Sequence, residues 1–153
     1  MLRRQLFALP AALLVLAAPA LAEERGTKQE AIAMVNAAFE HLKAVGSEKA
    51  NADFTSDKAK WVKKDLYVFV FDEKGVFLSH GANDKLVGRN MANMKDANGK
   101  GIFPAMQELA AKSGTGWVDY DWAHPQTKKV EGKSSYVRKG PDGKSLIGVG
   151  IYR

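Results

Sequence analysis

Residues 66–80 read LYVFVFDEKGVFLSH. Leu66 to Phe71 is apolar on both faces and dominated by β-formers, the pattern of a strand covered on both sides. Asp72-Glu73-Lys74-Gly75 supplies turn residues and a glycine. Val76-Phe77-Leu78-Ser79-His80 then returns, so the stretch predicts an antiparallel hairpin whose first strand is central. A strand of that kind needs a layer on each face, and the rest of the chain must supply both.

Downstream, residues 81–101 carry Asn83-Asp84, Gly88 and Asp96-Ala97-Asn98-Gly99 and predict a long loop. Long connections in compact domains are often functional. Residues 102–112 predict a helix with Phe103, Met106, Leu109 and Ala110 on one side, closed by Gly114. Three strands follow, at residues 117–124, 133–139 and 145–152, joined by turns at residues 125–128 and 141–143. Upstream, Thr27-Lys28-Gln29-Glu30 is a capping-box pattern. It opens a helix to about Val45 with Ala31, Val35, Ala38, Leu42 and Val45 in one stripe and His41 on the solvated side. Residues 47–64 read as a polar connector with one short helical turn, anchored by Phe54 and Trp61. The order predicts an α+β domain of PAS-like shape. It has a long N-terminal helix and about five antiparallel strands, with a helix and the long loop over one face.

The first residues carry an address. Arg3 and Arg4 precede an apolar run of roughly 13 residues, within the span of a signal-peptide core, and Ala20-Leu21-Ala22 fits the small-x-small cleavage rule. A signal peptide over 1–22, with a domain over 27–152, places the mature protein in the periplasm or outside the cell. No membrane span is expected after cleavage. The chain has no cysteine, which excludes disulfides, thiol chemistry and a lipoprotein anchor. The formal charge is +6, but lysines alternate with acids, as in Asp57-Lys58-Ala59-Lys60, and no basic stripe forms. That argues against nucleic acid, while the excess charge draws small anions to a cleft.

Catalytic signatures are missing. The three histidines lack ligand spacing, so neither zinc nor another cofactor is expected. Ser79 and His80 are adjacent on a strand and point to opposite faces, poor geometry for a nucleophile and its base. Asp96-Ala97-Asn98-Gly99 lacks the third acid and distal glutamate of a calcium loop and reads as a turn. An enzyme is therefore not expected.

Binding residues are better represented. On the strand at 117–124, Val118, Tyr120, Trp122 and His124 share a face, and Asp119 and Asp121 share the other with Trp117. Tyr120 and Trp122 each bring a polar handle that needs a partner when buried, so their face is either core or the floor of a pocket. Tyr67 and Tyr136 add hydroxyls. Lys133 either swings to water or enters the palm, where a small carboxylate would pair it. His80 is either a strand cap or a donor at a pocket rim. Gly148 and Gly150 leave one strand face open to close approach by a helix or a ligand.

The stretches LYVFVFD (66–72), SHGAN (79–83), LVG (86–88), KDANGK (95–100), GWVDYDW (116–122), KSSYV (133–137) and GVGIY (148–152) together resemble the single Cache domain, type 2. The resemblance covers residues 27–152. It implies a PAS-like extracytoplasmic sensor fold for small ligands, often short organic acids such as acetate, propionate, pyruvate or lactate. Most relatives hold the domain between two membrane helices. This sequence shows no second membrane helix and no signalling domain, and so resembles a stand-alone secreted form. Gly132 and Gly81 stand where many relatives have proline. The resemblance puts His80, Tyr120, Trp122, Lys133 and Tyr136 around the ligand, with Tyr67 and Asn93 beside them. It implies Lys133 and His80 on a carboxylate, Trp122 limiting its carbon tail, and a membrane sensor or transporter component as partner. The alternative is a structural or protein-interaction module whose palm is filled by side chains.

Overall fold

The computed structural model of the protein describes residues 24–153. The predicted signal peptide, residues 1–22, lies outside the described residues. Helix α1 spans Lys28–Val45 and opens on the capping box. The Thr27 hydroxyl accepts from the Glu30 N–H at 3.2 Å, and the Glu30 carboxylate accepts from the Thr27 N–H at 2.9 Å. Ala31, Val35, Ala38 and Leu42 are buried against the sheet.

The connector differs from expectation. It folds into helices α2 (Ser47–Ser56) and α3 (Lys58–Trp61), then a two-residue strand β1 (Val62–Lys63). The helical signal is weak because α2 buries only Ala50, Asn51 and Phe54, and the polar Asn51 is tolerated by donating to Ser47 O at 2.9 Å. His41 is also corrected. It is not on a solvated face but is wedged between helices, 2.8 Å from the Asp53 carboxylate and against the rings of Phe54 and Trp61.

The remaining strands are β2 (Leu66–Phe71), β3 (Phe77–His80), β4 (Thr115–Ala123), β5 (Val130–Lys139) and β6 (Leu146–Tyr152). All six residues of β2 are buried, as its two-faced composition requires. The sheet has six strands rather than five, in the order β1-β2-β6-β5-β4, with β3 also paired to β2. Residues 81–101 form the long connection, holding a 3₁₀ turn at Asp84–Leu86 and tied down by bridges Val76–Asn90 and Lys95–Gly101. Helix α4 (Ile102–Ser113) ends at Gly114, whose φ of +75° suits glycine.

The two sheet faces serve different layers. Val68, Val70, Ile147 and Val149 pack with α1, Phe54 and Trp61. The opposite face, the palm, gathers Tyr67, Phe69, Phe71, Tyr120 and Tyr152 beneath α4 and the long loop. Strand register completes the palm: Lys133 lies opposite Tyr120 on one side and Tyr152 on the other.

Candidate ligand site

Lys133 sits at the centre of the palm and is 1% exposed. Its stem crosses Gly150, where a Cβ would stand 2.1 Å from Lys133 Cε and 2.4 Å from Ser135 Oγ. Gly150 is glycine to make room for this side chain, which closes the question of what approaches the strand there. Gly148 likewise admits Phe69, with 2.1 Å between its ideal Cβ and the ring. The ammonium nitrogen donates to Tyr67 OH at 2.8 Å and lies 4.3 to 5.9 Å from the ring centroids of Tyr67, Tyr152, Phe69 and Tyr120. Among the described residues no carboxylate reaches it within ion-pair distance. Burial lowers its pKa to about 7, while the more distant Asp65 pulls upward.

A directed chain continues from that contact. Tyr152 OH donates to Ala123 O at 2.8 Å, so its hydroxyl oxygen is left to accept from Tyr67 OH at 3.2 Å. Tyr67 oxygen in turn accepts from Lys133. Burial raises the phenols of Tyr67 and Tyr120 above their ordinary range, which keeps both protonated. Tyr120 OH is held by Ser135 Oγ at 2.8 Å.

His80 closes one side and is 2% exposed. Its Nδ1 accepts the backbone N–H groups of Ala82 and Asn83 at 3.3 and 3.0 Å. That places the ring proton on Nε2, making it a donor. Burial, reinforced by the charges of Lys133 and Lys58, lowers its pKa to about 3, so the ring is neutral. Gly81 is explained locally: its N–H donates to Val68 O at 2.9 Å, a bond proline would delete.

Lys133, His80, Tyr120, Trp122, Met94 and neighbouring rings line an inner cavity of about 10 Å³, room for one water. Outside it lies a groove of about 390 Å³ running from Leu86 and Asp96 past Trp122 to Pro125 and Val130. The structure thus brings together Lys133, His80, Tyr67, Tyr120 and Trp122. It corrects two other expectations. Tyr136 lies on the opposite face, beneath α1 and against the Trp117 ring at 5.4 Å, because it is three positions on from Lys133 and that odd offset turns it to the other side of the strand. Asn93 is exposed, and its neighbours Met91 and Met94 line the cavity instead.

Sequence reasoning missed Tyr152 and Ser135, whose signal lies only in cross-strand register, and left open that what approaches Gly150 is the Lys133 stem. It also missed the burial of His124, whose Nε2 lies 3.2 Å from Asp65 Oδ2, while Asp65 Oδ1 accepts the Gly26 N–H at 2.7 Å. Asp119 and Asp121 lie on the outer side, accepting from Ser134 Oγ and Asn98 Nδ2. Asp96-Ala97-Asn98-Gly99 is a turn in which the Asp96 carboxylate accepts N–H groups of Asn98 and Lys100.

A known family matches nearly all of the described chain. The sequence profile of the Cache domain matches residues 29–153. The chain belongs to the Cache domain family. This Cache domain is 30% identical over 88 residues to the methyl-accepting chemotaxis protein McpP of Pseudomonas putida, spanning 58% of this chain and 16% of that protein. It is 29% identical over 89 residues to the sensor histidine kinase MctS of Rhizobium johnstonii, spanning 58% of this chain and 19% of the kinase. The chain thus corresponds to under a fifth of either relative's length. Among solved structures, it is similar to a Cache chemosensory domain described as the structural basis for carboxylic acid recognition. That match has a TM-score of 0.68 at 25% identity and covers 81% of this chain and 91% of that one. A methyl-accepting chemotaxis protein from Vibrio parahaemolyticus matches with a TM-score of 0.69 at 25% identity, covering 82% of this chain and 87% of that one. Both curated relatives are sensory proteins, a chemotaxis receptor and a sensor kinase. No helix among the described residues is long and apolar enough to cross a membrane.

Proposed function

We propose that this Cache domain is a periplasmic or secreted sensor module that binds a short organic acid anion and passes its occupancy to a membrane sensor or transporter component. One observation carries the reading: Lys133 is buried among four aromatic rings, and among the described residues no carboxylate lies within ion-pair distance of it. A buried ammonium is costly until an anion pairs it. A carboxylate beside it receives charge-assisted hydrogen bonds from Lys133 Nζ and a neutral one from His80 Nε2. The surrounding rings and methionines take a short aliphatic tail, as expected for an acetate-, propionate-, pyruvate- or lactate-like ligand. Recognition of carboxylic acid by a structurally similar Cache domain supports the same class.

The test is thermal unfolding of the refolded domain against a panel of short carboxylates. At about 100 times its dissociation constant a ligand adds about 2.7 kcal/mol, a rise on the order of 5–10 °C for a domain of this size. We expect that rise for two- or three-carbon acids in the wild type and none in Lys133→Met. The narrowness of the inner cavity favours a second reading, a side-chain-filled palm in an interaction module. A flat panel in the wild type would select it.

A further inference from the structure

The inner cavity and the outer groove share three lining residues, His80, Met94 and Trp122. The inner space of about 10 Å³ is too small even for a two-carbon acid, whereas the groove beyond offers about 390 Å³. A wall must therefore move when an anion reaches Lys133. His80 cannot yield, being pinned at Nδ1 by two backbone N–H groups. Tyr120 is held by Ser135, and the Lys133 stem is boxed over Gly150. Met94 is different: it is 40% exposed on the long loop, and its thioether chain has three rotatable bonds. Trp122 is half-buried near the end of the edge strand β4, and among the described residues the one polar tie of its indole is to the Tyr67 side chain, so it can swing by giving up a single neutral hydrogen bond. Both movable walls face the groove.

We infer that Met94 and Trp122 form a movable partition between a carboxylate seat at Lys133 and the outer groove, and that this partition sets the length of acid the domain accepts. The inference rests on the carboxylate reading above. The charged end enters first, drawn to Lys133 and His80, and the carbon tail trails towards the partition. A short tail lets the partition close behind it. A longer tail props Trp122 and Met94 open and leaves apolar surface wet. Leu86, Pro125 and Val130 line the groove beyond, and Val130 is 66% exposed, so an aliphatic tail finds apolar contacts there once the partition is cut back.

The experiment is calorimetric titration of straight-chain monocarboxylates of two to six carbons into wild type, Trp122→Ala, Met94→Ala and Lys133→Met. Wild type should prefer two or three carbons and lose roughly tenfold or more with each methylene beyond. Trp122→Ala should move the optimum to four to six carbons and raise hexanoate affinity roughly tenfold or more. Met94→Ala should move it the same way by less, and its exposed loop position keeps the test available if Trp122→Ala does not fold. An unchanged length profile in the folded variants, with wild type still binding short acids and Lys133→Met binding none, overturns the partition alone. Absence of binding in wild type, or full binding by Lys133→Met, overturns the seat and the partition with it.

Discussion

Lys133 and His80 reach the same condition by different means. Each is a basic side chain stripped of water, and each has its pKa lowered, to about 7 and about 3. For Lys133 the unfolded chain holds its proton up to about pH 10.5 while the folded chain releases it near 7. Between those values the unfolded state binds more protons, so ligand-free stability rises with pH, by at most about 1.4 kcal/mol per unit. Below pH 7 the lysine is charged in both states and its contribution is flat. We expect urea melts from pH 6 to 9.5 to show this rise in the wild type, and Lys133→Met to remove it and to be the more stable of the two at pH 6. Equal slopes would show that Lys133 is hydrated. His80 acts in the acid range: its neutral-state stability is full above about pH 6.5 and is lost as pH falls towards 3. A bound carboxylate should also return a proton to Lys133. Calorimetry with acetate at pH 8.5, in buffers of differing ionisation enthalpy, should therefore register uptake approaching one proton, and uptake near zero at pH 6. Buffer-independent heats at pH 8.5 would mean that the lysine already carries its proton in the free domain.

At the scale of elements, β5 and β6 make the site. Lys133 can lie flat in the palm because Gly150, the diagonal position on β6 next to its partner Tyr152, has no side chain, and Gly150→Ala should push Cβ into Lys133 Cε and Ser135 Oγ. Overpacking of this kind costs about 1–3 kcal/mol. On the proposed carboxylate reading the larger effect should be on binding, since a displaced Lys133 would not meet the anion: acetate should give no thermal shift in a variant that still folds. A normal shift would show that the stem has another path. The same strands show what was legible in the sequence. The β2–β3 hairpin, the β4–β5–β6 meander and α1 were readable because two-faced apolar runs, turn glycines and a capping box are local signals. Helices α2 and α3 were not, since their buried faces are too narrow to make a stripe. Lys133, Tyr120 and Trp122 could be suspected from residue type. The inward turn of Lys133 depends on Gly150, 17 positions away, and on register. Tyr136 was misplaced although parity alone excluded it from the face that carries Lys133.

Across the whole molecule, one buried polar path joins segments distant in sequence. It runs from Lys133 through Tyr67 and Tyr152 to Ala123 O. The next residue, His124, bonds Asp65 and packs its ring 4.7 Å from Tyr152, and Asp65 holds the Gly26 N–H immediately before the Thr27 cap of α1. Gly26 also packs closely on Leu66, since a Cβ there would stand 2.2 Å from Leu66 Cγ. Asp65 and His124 have fully buried side chains, so neither can exchange its partner for water. Removing the acceptor leaves the buried His124 donor unsatisfied, at about 1–3 kcal/mol, and the part-buried Gly26 N–H without its partner. We expect Asp65→Ala to lower the melting temperature by on the order of 10 °C and to speed hydrogen exchange at Gly26. Asp65→Asn keeps one oxygen for the Gly26 N–H and should lose less, with exchange at Gly26 still slow. If the alanine and asparagine variants melt together and exchange alike, the start of α1 is held by packing on Leu66 rather than by Asp65. A large gap between them would mean that a single buried carboxylate fastens the entry of α1 to the strand that carries Tyr67.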